Sequence, residues 1–278
     1  MTRPPLRYHG GKWRMAEHII PLFPKHMTYV EPFGGGASIL LRKSRCKNEI
    51  YNDLDGDIVN VFRVLQDVNM AQELKNKLIY TPFARRELEI AWIDVYDDPV
   101  EQARRCIIRS HMGFGSAGAT KGRTGFRGFD CYEGSYSAPA RQWSDLPKYL
   151  DDYTERLRGV VLENSCAFKV IEKTDYANTL LYVDPPYLIE TRSSMKSGQT
   201  YYRHEMSDEE HEKLLQVLKH SQHMVILSGY KSDMYMDILS DWEMVEFNAR
   251  ASRGHKGTVN RTECVWVKSN SKRQPTLF

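Results

Sequence analysis

The stretch Thr179-Leu180-Leu181-Tyr182-Val183-Asp184-Pro185-Pro186-Tyr187 decides the fold of this chain. Its five leading residues form a short apolar run that predicts a buried strand, and the two prolines end that strand and stiffen the following loop. Asp184 is thereby held at the carboxyl end of a strand, with the ring of Tyr187 close by. Open α/β sheets bind their ligands at this edge. We therefore predict that the ligand-binding site lies at this edge of the sheet, beside Asp184.

The residue types in this loop indicate a particular ligand chemistry. An amino group conjugated to a purine ring is a weak nucleophile, and acceptors that bind its N–H groups favour a more tetrahedral nitrogen. Asp184 and the carbonyl of Pro185 can both accept from such an amine, while Tyr187 offers a stacking face worth about 1–3 kcal/mol. The structural alternative is a turn that ends a strand and has no role in binding, since Asp-Pro and Pro-Pro pairs often mark only a turn.

Length and composition narrow the class of protein. A chain of 278 residues, 41% hydrophobic and 27% charged, suits one large soluble α/β domain or a domain with an insertion. No run approaches the ~18 apolar residues of a membrane span, and the N-terminus lacks an apolar signal core. The five cysteines form no Cys-x-x-Cys pair, and the nine histidines lack metal-ligand spacing. We therefore expect no metal and a reducing cytoplasm.

Hydrophobic periodicity along the chain predicts a parallel, doubly wound α/β sheet with a helical interruption. The predicted strands cover residues 28–31, 49–51, 159–162, 179–183, 223–227, 242–247 and 264–268. The predicted helices cover residues 12–23, 37–41, 58–65, 71–112 and 146–157, and a capping box starts another at Ser207 and Glu210. Residues 113–144 are rich in Gly, Ser, Thr and Pro, which is typical of a binding insertion or of partial disorder.

Two glycine-rich turns accompany this pattern. Glu31-Pro32-Phe33-Gly34-Gly35-Gly36-Ala37-Ser38 stands between a predicted strand and helix, where a cofactor can approach backbone amides. Asp53 follows the next strand about 20 residues on, where a ribose diol is held in such folds, although a helix cap is an alternative. In Tyr8-His9-Gly10-Gly11-Lys12, the tyrosine could face a planar or cationic group and the lysine a carboxylate; an ordinary basic arm is the alternative.

These motifs, in this order, resemble the Dam-like family of DNA adenine-N6 methyltransferases, the D12 class. Residues 225–230 and Arg261-Thr262-Glu263 look like further motifs of the group. Tyr8 stands where the family often has tryptophan, Ala37 where it often has glycine, and Cys166-Ala167-Phe168 where relatives commonly carry an Asp-Phe pair. The resemblance implies a Rossmann-like methyltransferase domain formed by residues 1–56 and 159–278, with residues 57–158 inserted as the target-recognition domain.

The resemblance also implies S-adenosylmethionine as cofactor and duplex DNA as substrate, with the target adenine rotated out of the stack. The implied catalytic residues are Asp184, Pro185, Pro186 and Tyr187. The implied cofactor contacts are Tyr8, Lys12, Glu31, Phe33, Gly34, Gly35, Gly36, Asp53, Phe168 and Asp184. We expect a monomer or weak dimer in a bacterial or phage-infected cell.

Net charge is only +3, but the cations are unevenly distributed. Residues 103–129 carry six cations, residues 247–262 four and residues 191–204 three, all without an acidic residue, which suits loops that neutralise a phosphate backbone. The first stretch is predicted to read the DNA sequence and the second to hold phosphates. The predicted DNA contacts are Arg109, Lys121, Arg123, Arg127, Arg192, Arg250, Arg253 and Lys256.

Three alternatives stay open at this point. Methylation of cytosine N4 uses the same chemistry, although Ser-Pro-Pro-Tyr is commoner in those enzymes. Methylation of a protein glutamine suits the Pro-Pro-Tyr loop but leaves the basic insertion without a role. An inactive DNA-binding relative is the third, and the intact Asp184, Lys12 and Asp53 argue against it.

Overall fold

The structure is a computed structural model that describes residues 3–93, 97–115, 118–120, 122–128, 139–192, 202–252 and 258–268. For residues 248–252 and 258–261 only the backbone is described.

A twisted sheet organises the described residues. Its seven strands are β1 (Thr28–Glu31), β2 (Asn48–Asn52), β3 (Val160–Glu163), β4 (Thr179–Val183), β5 (Met224–Gly229), β6 (Glu243–Ser252) and β7 (Thr258–Lys268). They lie in the order β3-β2-β1-β4-β5-β7-β6. The first five are parallel, and β7 runs antiparallel to both β5 and β6. The predicted α/β, doubly wound sheet is confirmed.

Helices connect the strands. Those of the described residues are α1 (Ala16–Ile19), α2 (Gly56–Gln66), α3 (Val68–Ile79), α4 (Arg85–Ile90), α5 (Pro99–Met112), α6 (Pro139–Asp145), α7 (Leu150–Leu157), α8 (Ala167–Lys173), α9 (Asp208–His220) and α10 (Asp233–Ile238). Short 3-10 helices lie at Ile20–Leu22, Leu146–Tyr149 and Ile189–Thr191. The capping box predicted from Ser207 and Glu210 is present at the start of α9.

The strands were easier to predict than the helices. β1 and β4 have the predicted bounds, and the predicted helical stretch 71–112 is divided among α3, α4 and α5. The helix predicted over residues 37–41 is wrong. Ala37 has a left-handed φ of 52°, which interrupts a right-handed helix, and a series of turns replaces it. The helix predicted over residues 12–23 is reduced to α1 and one 3-10 turn that contains Pro21.

The basic stretch at residues 247–262 is also more ordered than predicted. β6 and β7 pair as an antiparallel hairpin from Phe247 opposite Glu263 to Ser252 opposite Thr258. Residues 253–257 between these strands lie outside the described part of the chain. The flexible loop predicted for this stretch is therefore a β-hairpin along the positions that the structure describes.

The helices between β2 and β3 share a core with the sheet. The buried face of α2 presents Ile58, Val61, Phe62 and Leu65 at helical spacing. The ring of Phe62 lies 4.8 Å from that of Tyr51 in β2, centroid to centroid. The segment predicted as an insertion thus begins by packing on the sheet that carries the site.

A buried ion cluster joins the same two regions. Glu49 in β2 accepts hydrogen bonds from Lys43 at 2.5 Å and from Arg156 of α7 at 2.6 and 2.9 Å. Burial alone raises the pKa of Glu49, but the hydrogen bonds from Arg156 and Lys43 outweigh it and hold that pKa below its usual value. The carboxylate therefore stays ionised between two cations that have little access to water.

We predict that Glu49→Gln lowers the free energy of unfolding by about 3–5 kcal/mol, because it leaves two buried cations without their countercharge. Chemical denaturation measures the loss. Glu155→Gln is the matched control, since Glu155 of α7 pairs with Arg158 at 69% side-chain exposure and should change stability by about 0.5 kcal/mol or less. Equal effects of the two substitutions would contradict the prediction.

Candidate active site at the carboxyl edge of the sheet

Because β1, β2 and β4 are parallel, the residues that follow them meet at one edge of the sheet. A cleft of about 1450 Å³ lies there. It is lined by most of the side chains predicted from the sequence: Tyr8, Lys12, Glu31, Phe33, Gly34, Gly35, Gly36, Asp53, Phe168, Asp184, Pro186, Tyr187 and Arg192. Pro185 joins Asp184 to Pro186 in the same loop.

The glycine turn after β1 is held too tightly for side chains. A Cβ on Gly34 would lie 2.1 Å from the ring of Tyr51. Gly35 has a φ of 46°, and a Cβ there would lie 2.6 Å from the ring of Tyr8. The hydroxyl of Tyr51 also donates to the carbonyl of Gly35 at 2.7 Å. The turn is therefore fixed against two tyrosines and leaves its backbone along the cleft.

Asp53 braces this turn from the end of β2. Its two carboxylate oxygens accept from the backbone N–H groups of Gly35 and Asp55, each at 2.8 Å. The N-cap of α2 is Asp55, so Asp53 does not cap this helix. Burial raises the pKa of Asp53 to about 6.

A buried ion pair stands at the centre of the cleft. Lys12 Nζ lies 3.0 and 3.1 Å from the two carboxylate oxygens of Asp184 and donates to the carbonyl of Gly10 at 2.7 Å. Burial lowers the pKa of Lys12, but Asp184 and Glu263 outweigh it and raise that pKa above its usual value. Burial raises the pKa of Asp184, and the charge of Lys12 opposes that rise. Each charge stabilises the ionised form of the other.

Tyr187 is the aromatic wall beside this pair. Its ring centroid lies 4.8 Å from Lys12 Nζ, within cation–π distance. Its hydroxyl donates to Glu263 Oε2 at 2.7 Å, and Tyr230 donates to Glu263 Oε1 at 3.3 Å. Sequence reasoning noted Glu263 only within a resembling motif and gave it no role.

Glu31 is a buried acid in the lining of the cleft. Its Oε1 accepts from the hydroxyl of Tyr29 at 2.5 Å and from the N–H of Leu40 at 2.7 Å. Its Oε2 is buried with no hydrogen-bond partner among the described residues. Burial raises the pKa of Glu31 to about 7. One oxygen is thus left for a ligand that lies in the cleft.

Two walls of the cleft come from outside the main motifs. Phe168, a predicted cofactor contact, lies in α8 with Lys213 Nζ 5.1 Å from its ring centroid. Tyr202 lies 6.3 Å from Tyr8, ring to ring, and donates to the carbonyl of His9 at 3.3 Å. Sequence reasoning missed Tyr202 because no glycine turn or strand end marks its position.

Two of the predicted DNA contacts have internal partners. Arg109 of α5 is buried and bonds to Asp57 at 2.8 Å. Arg192 is buried, pairs with Glu205 at 2.7 Å and donates to the carbonyl of Tyr187. Both guanidiniums thus already hold carboxylates inside the protein and are less accessible to phosphates than the sequence indicated, and their contact with DNA stays a prediction.

The other predicted cations differ in accessibility. Arg123 is exposed and Arg127 half-buried, beside a short antiparallel bridge between Gly113 and Phe126. Only the backbone of Arg250 is described, in β6. Lys121, Arg253 and Lys256 lie outside the described residues.

Across the described ranges, no group of three or more His, Cys, Asp or Glu side chains is arranged to hold a metal ion. Within those ranges, too, every helix is too short or too polar to cross a membrane.

Comparison with known proteins identifies several relatives. The chain is similar to modification methylase StsI of Streptococcus sanguinis, with 37% identity over 78 residues, which is 27% of this chain and 12% of that protein. It is similar to the type II methyltransferase M.MjaIII of Methanocaldococcus jannaschii, with 20% identity over 286 aligned positions that cover 92% and 94% of the two chains. A DNA adenine methylase of Haemophilus influenzae is 34% identical over 65 residues, or 23% of this chain and 22% of the relative.

A family model matches residues 8–252, a range that runs from the tyrosine of the first glycine turn to the end of β6 and includes the ion pair, the glycine turn and Tyr187. The chain belongs to the D12 class of N6 adenine-specific DNA methyltransferases.

Proposed function

We propose that this protein transfers a methyl group from S-adenosylmethionine to N6 of an adenine rotated out of duplex DNA. The observation that carries the proposal is the buried pair of Lys12 and Asp184, set between the glycine turn and the ring of Tyr187. A donor can lie on one side of this pair and a flat base on the other. Such a site works by positioning and by complementary charge.

The polar groups of the cleft fit the proposed cofactor. Asp53 suits a ribose diol, and Lys12 suits the carboxylate of an amino acid. The free Oε2 of Glu31 suits a positively charged group, such as an ammonium. When bound, S-adenosylmethionine supplies an electrophilic methyl group on a sulfonium. Gly34 and Gly35 line the cleft with backbone alone, which a ligand there can approach.

Asp184 is assigned to the target amine. Its carboxylate can accept one N–H of the adenine amino group, and the carbonyl of Pro185 can accept the other. Both acceptors withdraw the nitrogen from conjugation with the ring and aim its lone pair at the methyl group. Tyr187 is assigned to stack on the base, at about 1–3 kcal/mol. The charge of Lys12 stabilises the ionised form of Asp184 and opposes the rise in its pKa that burial causes.

Target recognition is assigned to residues 57–158, with residues 1–56 and 159–278 forming the catalytic domain. Of the predicted DNA contacts in this segment whose side chains are described, Arg123 and Arg127 are more accessible than Arg109. An arginine that reads a guanine by two hydrogen bonds contributes about 1–3 kcal/mol of discrimination. Mass analysis of nucleosides from methylated DNA distinguishes the proposed N6-methyladenine from N4-methylcytosine, and peptide substrates test glutamine methylation.

We predict that Asp184→Asn lowers the rate of methyl transfer by at least about 10²-fold, because the amide cannot supply the ionised acceptor. Rates come from transfer of a labelled methyl group to DNA, and folding is checked by thermal denaturation. DNA affinity should stay close to that of the parent protein. A variant that retains full turnover would refute the role assigned to Asp184.

Cofactor affinity should depend on pH through Asp53. Its raised pKa of about 6 means that the carboxylate takes up a proton as pH falls from 7 to 5, and the protonated group is a poorer acceptor for a diol. We expect this step to weaken binding about tenfold between pH 7 and pH 5. Calorimetry of S-adenosylmethionine binding measures it.

Glu31, with a pKa raised to about 7, also titrates in this range, and the charges of Asp55 and His204 act on Asp53. Asp53→Asn isolates the contribution of Asp53. It should bind more weakly at pH 7 and lose about tenfold of the pH dependence, whereas Glu31→Gln should keep that part. An unchanged pH profile in Asp53→Asn would show that another group controls binding.

Arg123→Ala should reduce discrimination between the methylated site and a site with one changed base by about 1–3 kcal/mol. Arg158→Ala is the control, because Arg158 is another exposed arginine and pairs with Glu155 at the end of α7. Affinities for the two duplexes at fixed salt provide the measurement. A uniform loss for both duplexes, with a shallower salt dependence, would reassign Arg123 to phosphate contact.

A further inference from the structure

Three side chains form a hydrogen-bonded unit at the wall of the cleft, which we name the tyrosine clamp: Tyr187, Tyr230 and Glu263. The hydroxyl of Tyr187 donates to Glu263 Oε2 at 2.7 Å, and that of Tyr230 donates to Oε1 at 3.3 Å. The two rings meet edge to face, with centroids 4.7 Å apart and planes at 73°. One carboxylate thus holds both tyrosines by their hydroxyls.

The direction of β7 explains how Glu263 reaches this wall. Tyr230 directly follows β5, at the carboxyl edge of the sheet, and Gly229 pairs with Cys264 in the antiparallel ladder. Because β7 runs opposite to β5, its earlier residues lie at that same edge. Glu263 therefore lies one residue beyond the last β5–β7 pair and opposite Phe247 of β6, so a strand of the sheet anchors Tyr187, which lies in a loop.

Burying a carboxylate at position 263 would be costly in free energy if the side chain only filled space. Its side chain is only 14% exposed, and a carboxylate with so little contact with water is costly to bury unless it is hydrogen bonded or paired. The two tyrosine hydroxyls supply hydrogen bonds, and Lys12 Nζ supplies a positive charge 3.9 Å away. An apolar side chain fills such space without that cost, but it cannot fix the direction of a hydroxyl. The carboxylate contributes orientation.

We propose that Glu263 is a positioning residue for the reaction, acting through the hydroxyl of Tyr187 to fix the ring that stacks on the target adenine. This inference rests on the proposed function. With its hydroxyl anchored and its edge against Tyr230, the Tyr187 ring keeps one plane before the base arrives. Stacking on a ring that is already oriented places the amine at Asp184 without a further ordering step.

The test is a double-mutant cycle between Glu263→Leu and Tyr187→Phe, which remove the same hydrogen bond from its two ends. Tyr187→Phe keeps the stacking ring and should lower kcat about tenfold in the parent protein. In the Glu263→Leu background it should lower kcat by clearly less than in the parent protein, because the bond to Glu263 is already absent and only the hydrogen bond of the hydroxyl with Asp184 is left to lose. Glu263→Gln, which keeps one carbonyl acceptor, should recover part of the loss.

Two further measurements separate positioning from general damage. Affinity for S-adenosylmethionine, by calorimetry, should change by less than about twofold in Tyr187→Phe, so that the loss falls on kcat. Glu246→Gln is the matched control: Glu246 lies opposite Cys264, next to Glu263 in the hairpin, but pairs with Lys231 on the surface at 46% exposure. Its activity should equal that of the parent protein.

A readout independent of turnover uses a duplex with 2-aminopurine in place of the target adenine. Emission of this base is quenched when it stacks on an aromatic ring, so the Glu263→Leu and Tyr187→Phe complexes should be brighter than the parent complex at saturating protein. Equal emission in all three complexes would overturn the inference. So would full activity in Tyr187→Phe, or an equal loss from Tyr187→Phe in both backgrounds.

The failure of the proposed function gives a different result. In that case the parent protein itself transfers no methyl group to DNA and leaves 2-aminopurine emission unchanged. Alternatively, the parent protein transfers methyl groups to DNA and changes 2-aminopurine emission while the two substitutions have additive effects on kcat. That result would refute the role proposed for Glu263 and leave the proposed function intact.

Discussion

The attraction between the buried charges of Lys12 and Asp184 is the interaction on which the site depends. Removing either ion from water costs several kcal/mol, and only a close partner with further hydrogen bonds compensates for that cost. The ammonium meets both carboxylate oxygens at 3.0 and 3.1 Å and also the carbonyl of Gly10. The pair fixes the N-terminal glycine turn against the loop after β4, two regions 172 positions apart in the chain.

The features predicted most accurately from the sequence are those that local rules determine. The apolar run before Asp184 and the prolines after it define the end of β4 without reference to the rest of the chain. Parallel strands then bring Asp53 and Asp184 to one edge as a matter of topology. Two positions were not predicted, because one depends on an unusual backbone conformation and the other on the direction of a strand. Ala37 adopts a left-handed conformation that its residue type disfavours, and Glu263 reaches the site because one strand is antiparallel.

The arginines show a second limit of sequence reasoning. Residues 103–129 contain no acid, yet Arg104 and Arg105 both bond to Glu101, three and four positions earlier on the same helix. Helical spacing places these side chains together. Their partner Glu101 was not counted because it lies two residues before the acid-free stretch begins at residue 103. Arg109 finds Asp57 on a different helix, which only the packing of α2 on α5 provides. Charge counts therefore overestimate the number of cations available to DNA.

The same pairs connect α5, in the segment assigned to DNA recognition, to the cleft. One oxygen of Asp57, near the start of α2, lies 2.8 Å from Arg109 of α5 and 3.0 Å from Arg203, and Arg203 also contacts Asp55 at 3.1 Å. Arg203 follows Tyr202, which lines the cleft, while α5 leads into the segment that carries Arg123. The ion pairs therefore link α5 to the carboxylates beside Asp53. Because Asp53 also holds Gly35, the ion pairs join the segment assigned to sequence reading and the glycine turn in one mechanical unit.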